Sequence, residues 1–468
     1  MSPDLVVQES HLTELRSLLA RPGNVEASAY MLFGACDIRA DPWSKQRRRR
    51  YTSYAVVPVP EEDLISADEQ HVTWATASFV RLLRQAKAEG LVVAIVHTHP
   101  TGPAGFSGQD DRNERELAKL TRNRNGRSAE LLSLLLAGSD SLVARVWVDQ
   151  HEPLSMQRLR VVGRKFRLHE HLTSVTGLEH LDRQALVFGT ELNKIMRSLR
   201  IGIVGCGGTG SATAMLLARL GIGHMVLFDD DVAELTNLNR LHGSRRSDVD
   251  AMRSKVDVVM REIAEAGLGV KVVPMRGWVG DSTFRDALKS CDVIFGCTDD
   301  NSGRLFLNRL SHFYLIPVID LGLAISPSDQ GEKVRDLSGR ATVVFPGAPC
   351  LMCRGVVDPV KAREEDLRRA NPEEFERQKR EAYVRGGGNP APAVVTFTTS
   401  TACMAVDELL EALVSFRGSD GWAWNRVRRF DLVKDRMPGA KSEEQCPICD
   451  SKEYWGRGDV EPFMDRVA

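Results

Sequence analysis

One glycine-rich turn constrains the fold of this chain more than any other feature. The turn is GCGGTG at residues 205–210, and it follows a short apolar run at 199–204 that predicts a buried strand. A helix rich in alanine and leucine is predicted next, at 211–220, and a second strand at 225–228. Strand, helix and strand in this order predict a βαβ unit of a parallel sheet. Further buried strands are predicted at 270–274, 292–296 and 317–320, so this part of the chain is expected to be an α/β domain.

The turn itself predicts a phosphate site. Gly205, Gly207 and Gly210 form the pattern GxGxxG, in which glycines let the backbone approach a phosphate group over the N-terminus of the helix. Asp229 lies 19 residues past Gly210, at the end of the next predicted strand, where it can bind ribose hydroxyls. Up to this point NAD explains the residues as well as any other nucleotide, since GxGxxG alone is weak evidence.

Residues beyond the second strand favour a triphosphate. Asn237 and Arg240 follow that strand in NLNR, and Lys255 begins the next helix. Two fixed cations exceed what a dinucleotide needs but suit a triphosphate that loses pyrophosphate, because Arg and Lys offset the developing charge. Asp299 follows a buried strand, where a carboxylate can hold Mg2+ near the phosphates. Taken singly, Arg240 and Lys255 are also explained as surface charges and Asp299 as a helix N-cap.

This set resembles the ThiF/MoeB-type adenylyltransferases and the adenylation domain of ubiquitin-activating enzymes, over about residues 181–450. The resemblance implies a Rossmann-like domain with a predominantly parallel sheet, ATP and Mg2+ as ligands, and a homodimer. It assigns the nucleotide loop to Gly205, Gly207, Gly208 and Gly210, the ribose to Asp229, the phosphates to Asn237, Arg240 and Lys255, and the magnesium to Asp299. It also implies an arginine that reaches the γ-phosphate from the partner subunit, for which Arg183 is the candidate. The family motif CTDN appears here as CTDDN (297–301), which leaves the role of Asn301 open.

The first 150 residues predict a separate, smaller domain of mixed α+β type. Short strands are predicted at 29–33, 51–59, 91–96 and 143–148, and a helix over 72–87 carries an apolar stripe of Phe79, Leu82, Leu83 and Ala86. Residues 151–180 lack strong periodicity and are interpreted as a connector. The predicted division is therefore a first domain at 1–150, a connector at 151–180 and the ATP-binding domain at 181–468. The charged stretch 358–388, which ends in three glycines, is interpreted as a mobile excursion from the second sheet.

A metal site is predicted where the third strand of the first domain ends. His97 and His99 alternate in an extended strand, so both imidazoles project to the same side. Asp110 follows after a Gly/Pro loop and supplies a third ligand, which leaves a fourth tetrahedral position for water, as in catalytic zinc sites. Zinc lowers the pKa of such a water to about 7 and makes it a nucleophile. HxH alone is explained equally well by core packing, and the spacing to Ser107 and Asp110 favours the metal.

The pattern His97-x-His99-x7-Ser107-x2-Asp110 resembles the signature of JAMM (MPN+) metalloproteases. These zinc enzymes, which include deubiquitinases, cleave isopeptide or peptide bonds after ubiquitin-like proteins. The resemblance implies that His97, His99 and Asp110 bind zinc and that Ser107 donates to the oxyanion of the tetrahedral intermediate.

The same family has a glutamate general base just before an early strand. Glu26, in NVEASAYMLFG, is assigned to this role because a predicted strand follows it. Glu9 and Glu14 fit the role less well because they lie in a helix-like stretch.

Two CxxC pairs predict a second, structural zinc. Four thiolates satisfy a closed tetrahedral site, although the 92 residues between the pairs exceed ordinary zinc-ribbon spacing. The alternatives are free buried cysteines or a redox pair. The ThiF/MoeB-type family carries a four-cysteine zinc that ties its C-terminal segment to the sheet, which implies the same zinc knuckle here. Its ligands are Cys350, Cys353, Cys446 and Cys449, and the cysteines that read as small core residues are Cys36, Cys206, Cys291 and Cys297.

The ninth cysteine bears on whether the chain forms a thioester. Ubiquitin-activating enzymes of the thioester-forming kind resemble one another in a cysteine on the segment that crosses the adenylate, and residues 358–393 contain none. Cys403 comes next, on the apolar side of a predicted helix, so it is expected to be buried rather than nucleophilic. The acyl group is therefore predicted to pass directly to a partner's thiol.

Composition excludes several classes of protein. The 62 Lys+Arg residues balance 63 Asp+Glu, and residues 1–150 hold 18 and 19, so no basic excess points to nucleic acid. The run KQRRRR at 45–50 is accordingly predicted to be a solvated loop. No apolar stretch approaches the roughly 18 residues that span a bilayer, and no secretory signal is readable. Nine cysteines, four of them in CxxC pairs, exclude a disulfide-stapled secreted protein, so a cytoplasmic protein is expected.

The two resemblances together imply one bifunctional enzyme acting on the C-terminal glycine of a ubiquitin-like protein. The first domain would cleave at that C-terminus, and the second would adenylate the terminal carboxylate for transfer to a conjugating enzyme or other acyl acceptor. Such fusions resemble components of bacterial ubiquitin-like conjugation operons, some of which serve antiviral defence. Two alternatives stay open: an activator of a sulfur-carrier protein in thiamine, molybdopterin or cysteine biosynthesis, and a non-enzymatic scaffold with degenerate sites.

Overall fold

Two large sheets, each with its own helices, make up the protein. The computed structural model describes residues 2–67, 72–102, 104–138, 141–149, 151–169, 178–327, 334–380, 392–418, 421–450 and 452–460. No helix among these residues is long and apolar enough to cross a membrane.

The first sheet is built from the N-terminal part of the chain. Its strands and the adjacent hairpin are β1 (Ser2–Gln8), β2 (Ser28–Ile38), β3 (Arg48–Pro58), β4 (Leu64–Ala67), β5 (Val72–Trp74), β6 (Val92–His99), β7 (Leu131–Ala137), β8 (Ser141–Trp147), β9 (Leu154–Ser155), β10 (Arg158–Val162) and β11 (Phe166–Leu168). Nine of them form one sheet in the order β11-β10-β1-β3-β2-β6-β7-β8-β9, and β4 pairs with β5 separately. Three helices accompany them: α1 (Glu9–Leu19), α2 (Thr76–Glu89) and α3 (Gly108–Asn125).

Helices cover both faces of this sheet. Helix α1 packs in one core with Met31 and Phe33 of β2, whereas α2 and α3 pack in another with Tyr30 and Leu32. Successive side chains of a strand point to opposite faces, so β2 contributes to both cores and residues 29–33 are all apolar or aromatic. The four residues of the predicted helical stripe are buried as expected. The helix itself begins only at residue 76, because residues 72–74 form β5.

The second sheet contains the predicted βαβ unit. Its strands are β12 (Arg200–Val204), β13 (His224–Asp229), β14 (Lys271–Arg276), β15 (Val293–Gly296), β16 (Val318–Pro327), β17 (Val334–Val344), β18 (Asn425–Arg429) and β19 (Lys434–Arg436). They lie in the order β14-β13-β12-β15-β16-β17-β18-β19. Neighbours from β14 to β16 are parallel, and those from β16 to β19 are antiparallel. The predicted α/β class with a predominantly parallel sheet is confirmed.

Helices flank this sheet on both faces. They are α4 (Asp182–Ser198), α5 (Gly208–Arg219), α6 (Arg246–Asp250), α7 (Lys255–Glu265), α8 (Arg285–Lys289), α9 (Asn301–Tyr314), α10 (Pro359–Ala370), α11 (Pro372–Arg380) and α12 (Val395–Val414). Helices α5, α7 and α12 share one core, and α8, α9 and α10 share the other. The stretch interpreted as a mobile excursion is helical in its described part, since α10 and α11 fill 359–380, and residues 381–388 lie outside the described residues.

The segment interpreted as a connector contributes strands to the first sheet. Strand β10 pairs in parallel with β1, and β11 pairs antiparallel with β10. Residues 154–168 therefore extend the first domain, while residues 170–177 of the same segment lie outside the described residues.

The prediction that residues 45–50 form a solvated loop is wrong. Arg48 and Arg50 lie in β3, and their side chains are 4% and 1% exposed. Arg48 forms ion pairs with Asp4 and Asp41. These partners come from other segments of the chain, so the basic run gives no local sign that its charges are compensated. Burial of arginine is possible here only because the carboxylates are buried with it.

Buried charges also join the two sheets. Asp292, immediately before β15, lies 2.9 Å from a guanidinium nitrogen of Arg158 and 2.7 Å from one of Arg160, both in β10. Arg200 of β12 reaches back to Asp41 at 2.6 Å. We refer to this set as the interdomain charge cluster; its members are Asp4, Asp41, Asp292, Arg48, Arg50, Arg158, Arg160 and Arg200.

Residues 452–460, here called the tail segment, lie between the two domains. The backbone N–H groups of Gly456 and Gly458 donate to carbonyls at the end of α9, at 2.8 and 2.9 Å. On the other side, Thr52 of β3 donates its hydroxyl to the carbonyl of Gly456. The carboxylate of Asp459 accepts from the backbone N–H of Asp37 in β2. The tail segment thus hydrogen-bonds to both domains.

Candidate active sites

Three predicted metal ligands converge at one end of the first sheet. His97 and His99 are the last alternate residues of β6, and Asp110 lies in the first turn of α3. The Nε2 atom of His97 is 3.3 Å from one oxygen of Asp110, and that of His99 is 3.7 Å from the other. The ligating atoms of all three lie within 4.8 Å of one another. This arrangement can hold one metal ion.

Pairing of β2 with β6 brings Glu26 to the same place. Ser28 pairs with His97, and the backbone N–H of Ala27 donates to the hydroxyl of Thr98 at 2.9 Å. The carboxylate of Glu26 consequently lies 3.6 Å from Nε2 of His99, and the residue is only 7% exposed. Glu9, the alternative base, instead accepts from the backbone N–H of Arg164, away from the histidines.

The three residues fit a zinc ion. Nε2 of His97 is buried and has no hydrogen-bond partner among the described residues, as expected of an atom that takes a metal. Burial would raise the pKa of Asp110, but the imidazole of His97 at 3.3 Å and the hydrogen bonds from Ser107 hold it below its ordinary value. Asp110 is therefore ionised at neutral pH. Two imidazoles and one carboxylate are a donor set of catalytic zinc sites, which keep a fourth position open.

Ser107 begins α3 at the rim of this site. Its hydroxyl donates to Asp110 at 2.8 Å, and its backbone N–H donates to the same carboxylate at 2.6 Å. The backbone N–H of Asp110 in turn lies 3.2 Å from the hydroxyl, which completes a capping box. Ser107 is exposed and so lies at the surface that a substrate would approach.

A buried pair behind the site is not evident from the sequence. Arg145 of β8 stacks on Phe106 at 3.8 Å and donates to Glu114 of α3 at 2.8 Å. Glu114 also accepts from the indole of Trp147 at 2.7 Å. Because these contacts join α3 to β8, they fix the helix that carries Asp110. The partners are about thirty residues apart in sequence and follow no local pattern.

A cavity of about 510 Å3 opens at the carboxyl ends of the parallel strands of the second sheet. Its lining includes most residues predicted for the nucleotide: Gly205, Gly207, Gly208, Asp229, Arg240, Lys255 and Asp299. Gly205 has φ +89°, which favours glycine, and a Cβ on Gly210 would lie 1.7 Å from the carbonyl oxygen of Gly205. The predicted tight turn between β12 and α5 is therefore present.

Asp229 is the buried carboxylate of this cavity. It accepts the backbone N–H groups of Cys206 at 2.5 Å and Asp231 at 2.9 Å. Burial raises its pKa to about 6, against the opposing effect of Lys255. Lys255 itself pairs with the exposed carboxylate of Asp231 at 2.6 Å. An incoming phosphate group can replace the exposed Asp231 as the partner of Lys255.

Two further predicted residues lie outside the cavity lining. Asn237 accepts the backbone N–H of Glu234 at 3.0 Å and so caps its own turn. Arg183 is exposed at the start of α4 and lines no part of the cavity of its own chain, as a residue acting on a partner subunit would. Both assignments stay predictions.

The last three residues of the motif CTDDN, Asp299, Asp300 and Asn301, make different contacts. Asp300, not Asp299, is the N-cap of α9 and accepts the backbone N–H of Gly303 at 2.9 Å. Asp299 is exposed in the cavity, where a carboxylate can hold Mg2+. Asn301 accepts the backbone N–H of Asp358 at 3.0 Å and donates to Glu365 at 3.1 Å. Asn301 therefore binds α10 rather than the nucleotide.

Sequence reasoning missed three cavity residues: Trp278, Arg304 and Arg369. Trp278 follows β14, at the strand end where ligands of such sheets bind, so its position was a usable signal. Arg304 is one turn into α9 and pairs with Asp320 at 3.3 Å. Arg369 belongs to α10, whose helix was not predicted although Asp358-Pro359 is a helix-start pattern.

The four predicted cysteine ligands form one cluster. The Sγ–Sγ distances are 3.9 Å for Cys350–Cys353, 3.7 Å for Cys350–Cys446 and 3.5 Å for Cys353–Cys449. Four sulfurs at about 2.3 Å from a central zinc in tetrahedral geometry are about 3.8 Å apart, so the cluster fits that ion. The site is closed by its four thiols, as structural zinc sites are.

The remaining cysteines differ in exposure. Cys36, Cys206 and Cys291 are fully buried, which confirms their assignment to the core, and Cys297 is half-buried. The prediction that Cys403 is buried is wrong, because it lies on the exposed side of α12. Partial burial and the charge of Asp407 nevertheless raise its pKa, against Arg428, so the thiol is not activated.

Comparisons with known proteins match both halves of the chain. Residues 181–450 match the model of the ThiF family, and residues 8–149 match that of prokaryotic homologs of the JAB domain. The SAMP-activating enzyme E1 of Haloferax volcanii is 28% identical over 182 residues, which are 38% of this chain and 62% of that protein. Ubiquitin-like modifier-activating enzyme 5 of Drosophila persimilis is 24% identical over 295 residues, 60% of this chain and 69% of that protein. Molybdopterin-synthase adenylyltransferase of Escherichia coli is 26% identical over 178 residues, which are 37% of this chain and 66% of that protein. The chain thus spans about six tenths of the length of the Haloferax enzyme.

Proposed function

The chain belongs to the ThiF family and carries a JAB-type domain at its N-terminus, and from this premise we propose that it is a bifunctional enzyme acting on the C-terminus of a ubiquitin-like protein. The second domain adenylates the terminal glycine carboxylate with ATP and Mg2+. The first domain cleaves the peptide or isopeptide bond that follows this glycine. The observation that carries the proposal is the co-occurrence of two equipped sites: a nucleotide cavity with Lys255 and Asp299, and a metal triad beside Glu26.

The adenylation step forms one bond and breaks one. An oxygen of the terminal carboxylate attacks the α-phosphorus of ATP, the bond from that phosphorus to the bridging oxygen breaks, and pyrophosphate leaves. Gly205 and Gly207 let the phosphates lie against the backbone, and Arg240 and Lys255 offset the charge that develops on the leaving group. Asp229 accepts the ribose hydroxyls. Asp299 is the exposed carboxylate of the cavity that would hold Mg2+, and the ion would neutralise phosphate charge.

The cleavage step uses the first domain. His97, His99 and Asp110 would hold a zinc ion, which would polarise the scissile carbonyl and lower the pKa of a water molecule. Glu26 accepts a proton from the attacking water and returns it to the leaving amine as the C–N bond breaks. Ser107 turns its hydroxyl from Asp110 towards the carbonyl oxygen and donates to it as negative charge develops.

The acyl group then passes to a thiol of a conjugating enzyme or other acceptor. The thiolate attacks the acyl carbon, a thioester forms and AMP leaves. Support comes from the absence of cysteine in residues 358–393 and from the raised pKa of Cys403. Arg183 completes the nucleotide site of the partner subunit in a homodimer.

Activation of a sulfur-carrier protein is the second candidate function, and the match to molybdopterin-synthase adenylyltransferase favours it. Both candidates share the acyl-adenylate and differ in the acceptor. The JAB-type domain supports the first candidate, since cleavage after a terminal glycine serves a modifier that is attached through an amide bond.

The test is ATP–pyrophosphate exchange with a ubiquitin-like protein encoded beside this chain, followed by mass spectrometry of the product. We expect exchange and an acyl-adenylate with the intact protein, and neither with a control that lacks the terminal glycine. No exchange with the intact protein would contradict the proposed adenylation. A thiocarboxylate formed from sulfide, with no transfer to a conjugating enzyme, would favour the second candidate.

Cleavage is measured separately, on the same ubiquitin-like protein extended at its C-terminus. We expect release of the extension by the zinc-loaded chain and none after chelation. The proposal extends to antiviral defence, and phage plating on cells that carry the wild-type chain or Asp299→Ala tests that role.

A further inference from the structure

We propose that Arg369 of α10 is a further nucleotide-binding residue, supplied by a helix that is latched to the magnesium-binding motif. This inference rests on the proposed function, because it concerns the same ATP cavity. Neither the sequence pattern nor the family resemblance assigned the Arg369 side chain to the nucleotide.

Arg369 lines the cavity between the ring of Trp278 and the CTDDN motif. Its guanidinium carbon lies 4.0 Å above the ring of Trp278, which follows β14. Its nitrogens lie 3.4 Å from Asp300 and 3.0 Å from Asp366. Asp300 is the neighbour of Asp299, so Arg369 reaches from the aromatic wall to the magnesium side of the cavity.

The guanidinium of Arg369 can move away from Asp300 and Asp366, because each carboxylate keeps at least one other hydrogen-bond donor. Asp300 keeps the backbone N–H of Gly303 and the hydroxyl of Thr298 as donors. Asp366 keeps the hydroxyl of Ser302. An acceptor that retains other donors loses little when one partner departs, whereas an orphaned buried carboxylate is costly.

The other arginine missed by the sequence, Arg304, has a more buried side chain. Arg304 pairs with Asp320, whose side chain is 1% exposed, and also donates to the carbonyl of Leu321 at 3.1 Å. The side chain of Arg369 is 34% exposed, so an incoming phosphate reaches it more easily. Of these two arginines, Arg369 is the one free to exchange a carboxylate for a phosphate oxygen.

Hydrogen bonds from Asn301 and Ser302 to the α10 region, here called the latch, fix the helix that carries Arg369. Asn301, the residue whose role the sequence left open, bonds to both Asp358 and Glu365 of the α10 region. The backbone N–H of Ser302 donates to Glu365 as well, at 2.8 Å. The first turn of α9 and the body of α10 therefore move together. Since Asp299 directly precedes this turn, the latch places Arg369 relative to the magnesium site.

The test measures binding of Mg2+–ATP to the full chain by titration calorimetry, without any ubiquitin-like protein. Arg369→Ala should weaken ATP binding about tenfold, which is the usual size of one charge-assisted contact to a phosphate. Arg369→Lys should recover part of the loss because it restores the positive charge. Arg368→Ala, which changes the exposed neighbour on the same helix, is the matched control and should bind ATP as the wild type does.

The role of Asn301 in positioning Arg369 is tested with a double variant. Asn301→Ala should weaken ATP binding through the position of Arg369, so the double variant Asn301→Ala/Arg369→Ala should bind no more weakly than Arg369→Ala alone. Strictly additive losses would show that Asn301 does not act through Arg369.

The outcomes separate this inference from the proposed function. If the wild type binds Mg2+–ATP and folded Arg369→Ala binds it equally well, the role of Arg369 is refuted and the adenylation proposal stands. If the folded, zinc-loaded wild type does not bind Mg2+–ATP, both are refuted.

Discussion

Removal of the Asp292 carboxylate is expected to destabilise both domains at once. Asp292 is 3% exposed and belongs to the second domain. Its carboxylate accepts the backbone N–H of Arg200 at 3.0 Å and the guanidinium of Arg158 at 2.9 Å, and it lies 2.7 Å from Arg160. Arg158 and Arg160 are in the first sheet. Asp292→Ala therefore leaves positive charge buried at the boundary between the domains.

The size of the effect follows from this burial. Removing one partner of a buried ion pair costs about 3–5 kcal/mol, because the remaining charge is shielded from solvent and has lost its nearest counter-charge. At roughly 2.1 cal/mol/K per residue, a cooperative unit the size of this chain has an unfolding entropy of about 1 kcal/mol/K. The melting temperature should therefore fall by about 3–5 °C if the two domains unfold together.

Differential scanning calorimetry of the full chain measures this shift. The wild type should give one transition, and the Asp292→Ala transition should move as a whole. The matched control is Asp250→Ala, which breaks an exposed pair with Arg246 and should cost less than about 0.5 kcal/mol. A variant that melts at the wild-type temperature would refute the reasoning, and so would a shift confined to one of two separate transitions.

Three further predictions concern the sites. Glu26→Gln should abolish cleavage while zinc content, measured by atomic absorption, stays at the wild-type level, because a base is lost and no ligand is; cleavage at the wild-type rate would identify another base. Asp299→Ala should stop ATP–pyrophosphate exchange and leave cleavage intact, whereas loss of both activities in a folded protein would contradict two independent sites. The affinity of the ligand-free enzyme for ATP should fall as pH falls through about 6. The pKa of Asp229 is raised to about 6, and the protonated carboxyl cannot accept hydrogen bonds from both ribose hydroxyls. Asp229→Asn should bind ATP weakly at every pH, without this dependence.

Sites built from local spacing could be predicted from the sequence. His97 and His99 share a face because a strand has a period of two, and the glycine turn needs only its neighbours. Glu26 also lies where predicted, although the reason is the pairing of β2 with β6, which brings residues seventy positions apart together. Asn301 could not be interpreted, since its partners are on a helix more than fifty residues away.

Two predictions were wrong because burial does not follow from local sequence. Arg50 looks solvated in a basic run, yet it lies between carboxylates from two other segments. Cys403 shares a helical stripe with apolar residues but falls at its edge, where its side chain is exposed. Neither fact depends on local pattern, and both depend on which elements pack together.

The tail segment ties the completion of the first domain to the timing of protein synthesis. Its contacts to Thr52 and Asp37 join residues 404 and 422 positions apart. At about 5–20 residues per second, a ribosome needs roughly 20–80 s to make the chain between them. During that interval the first domain is outside the ribosome without the partners that the tail segment gives to Thr52 and Asp37. A message broken before this point would yield a first domain that lacks these contacts, so the first domain reaches its full set of contacts only in a chain that also contains the second domain.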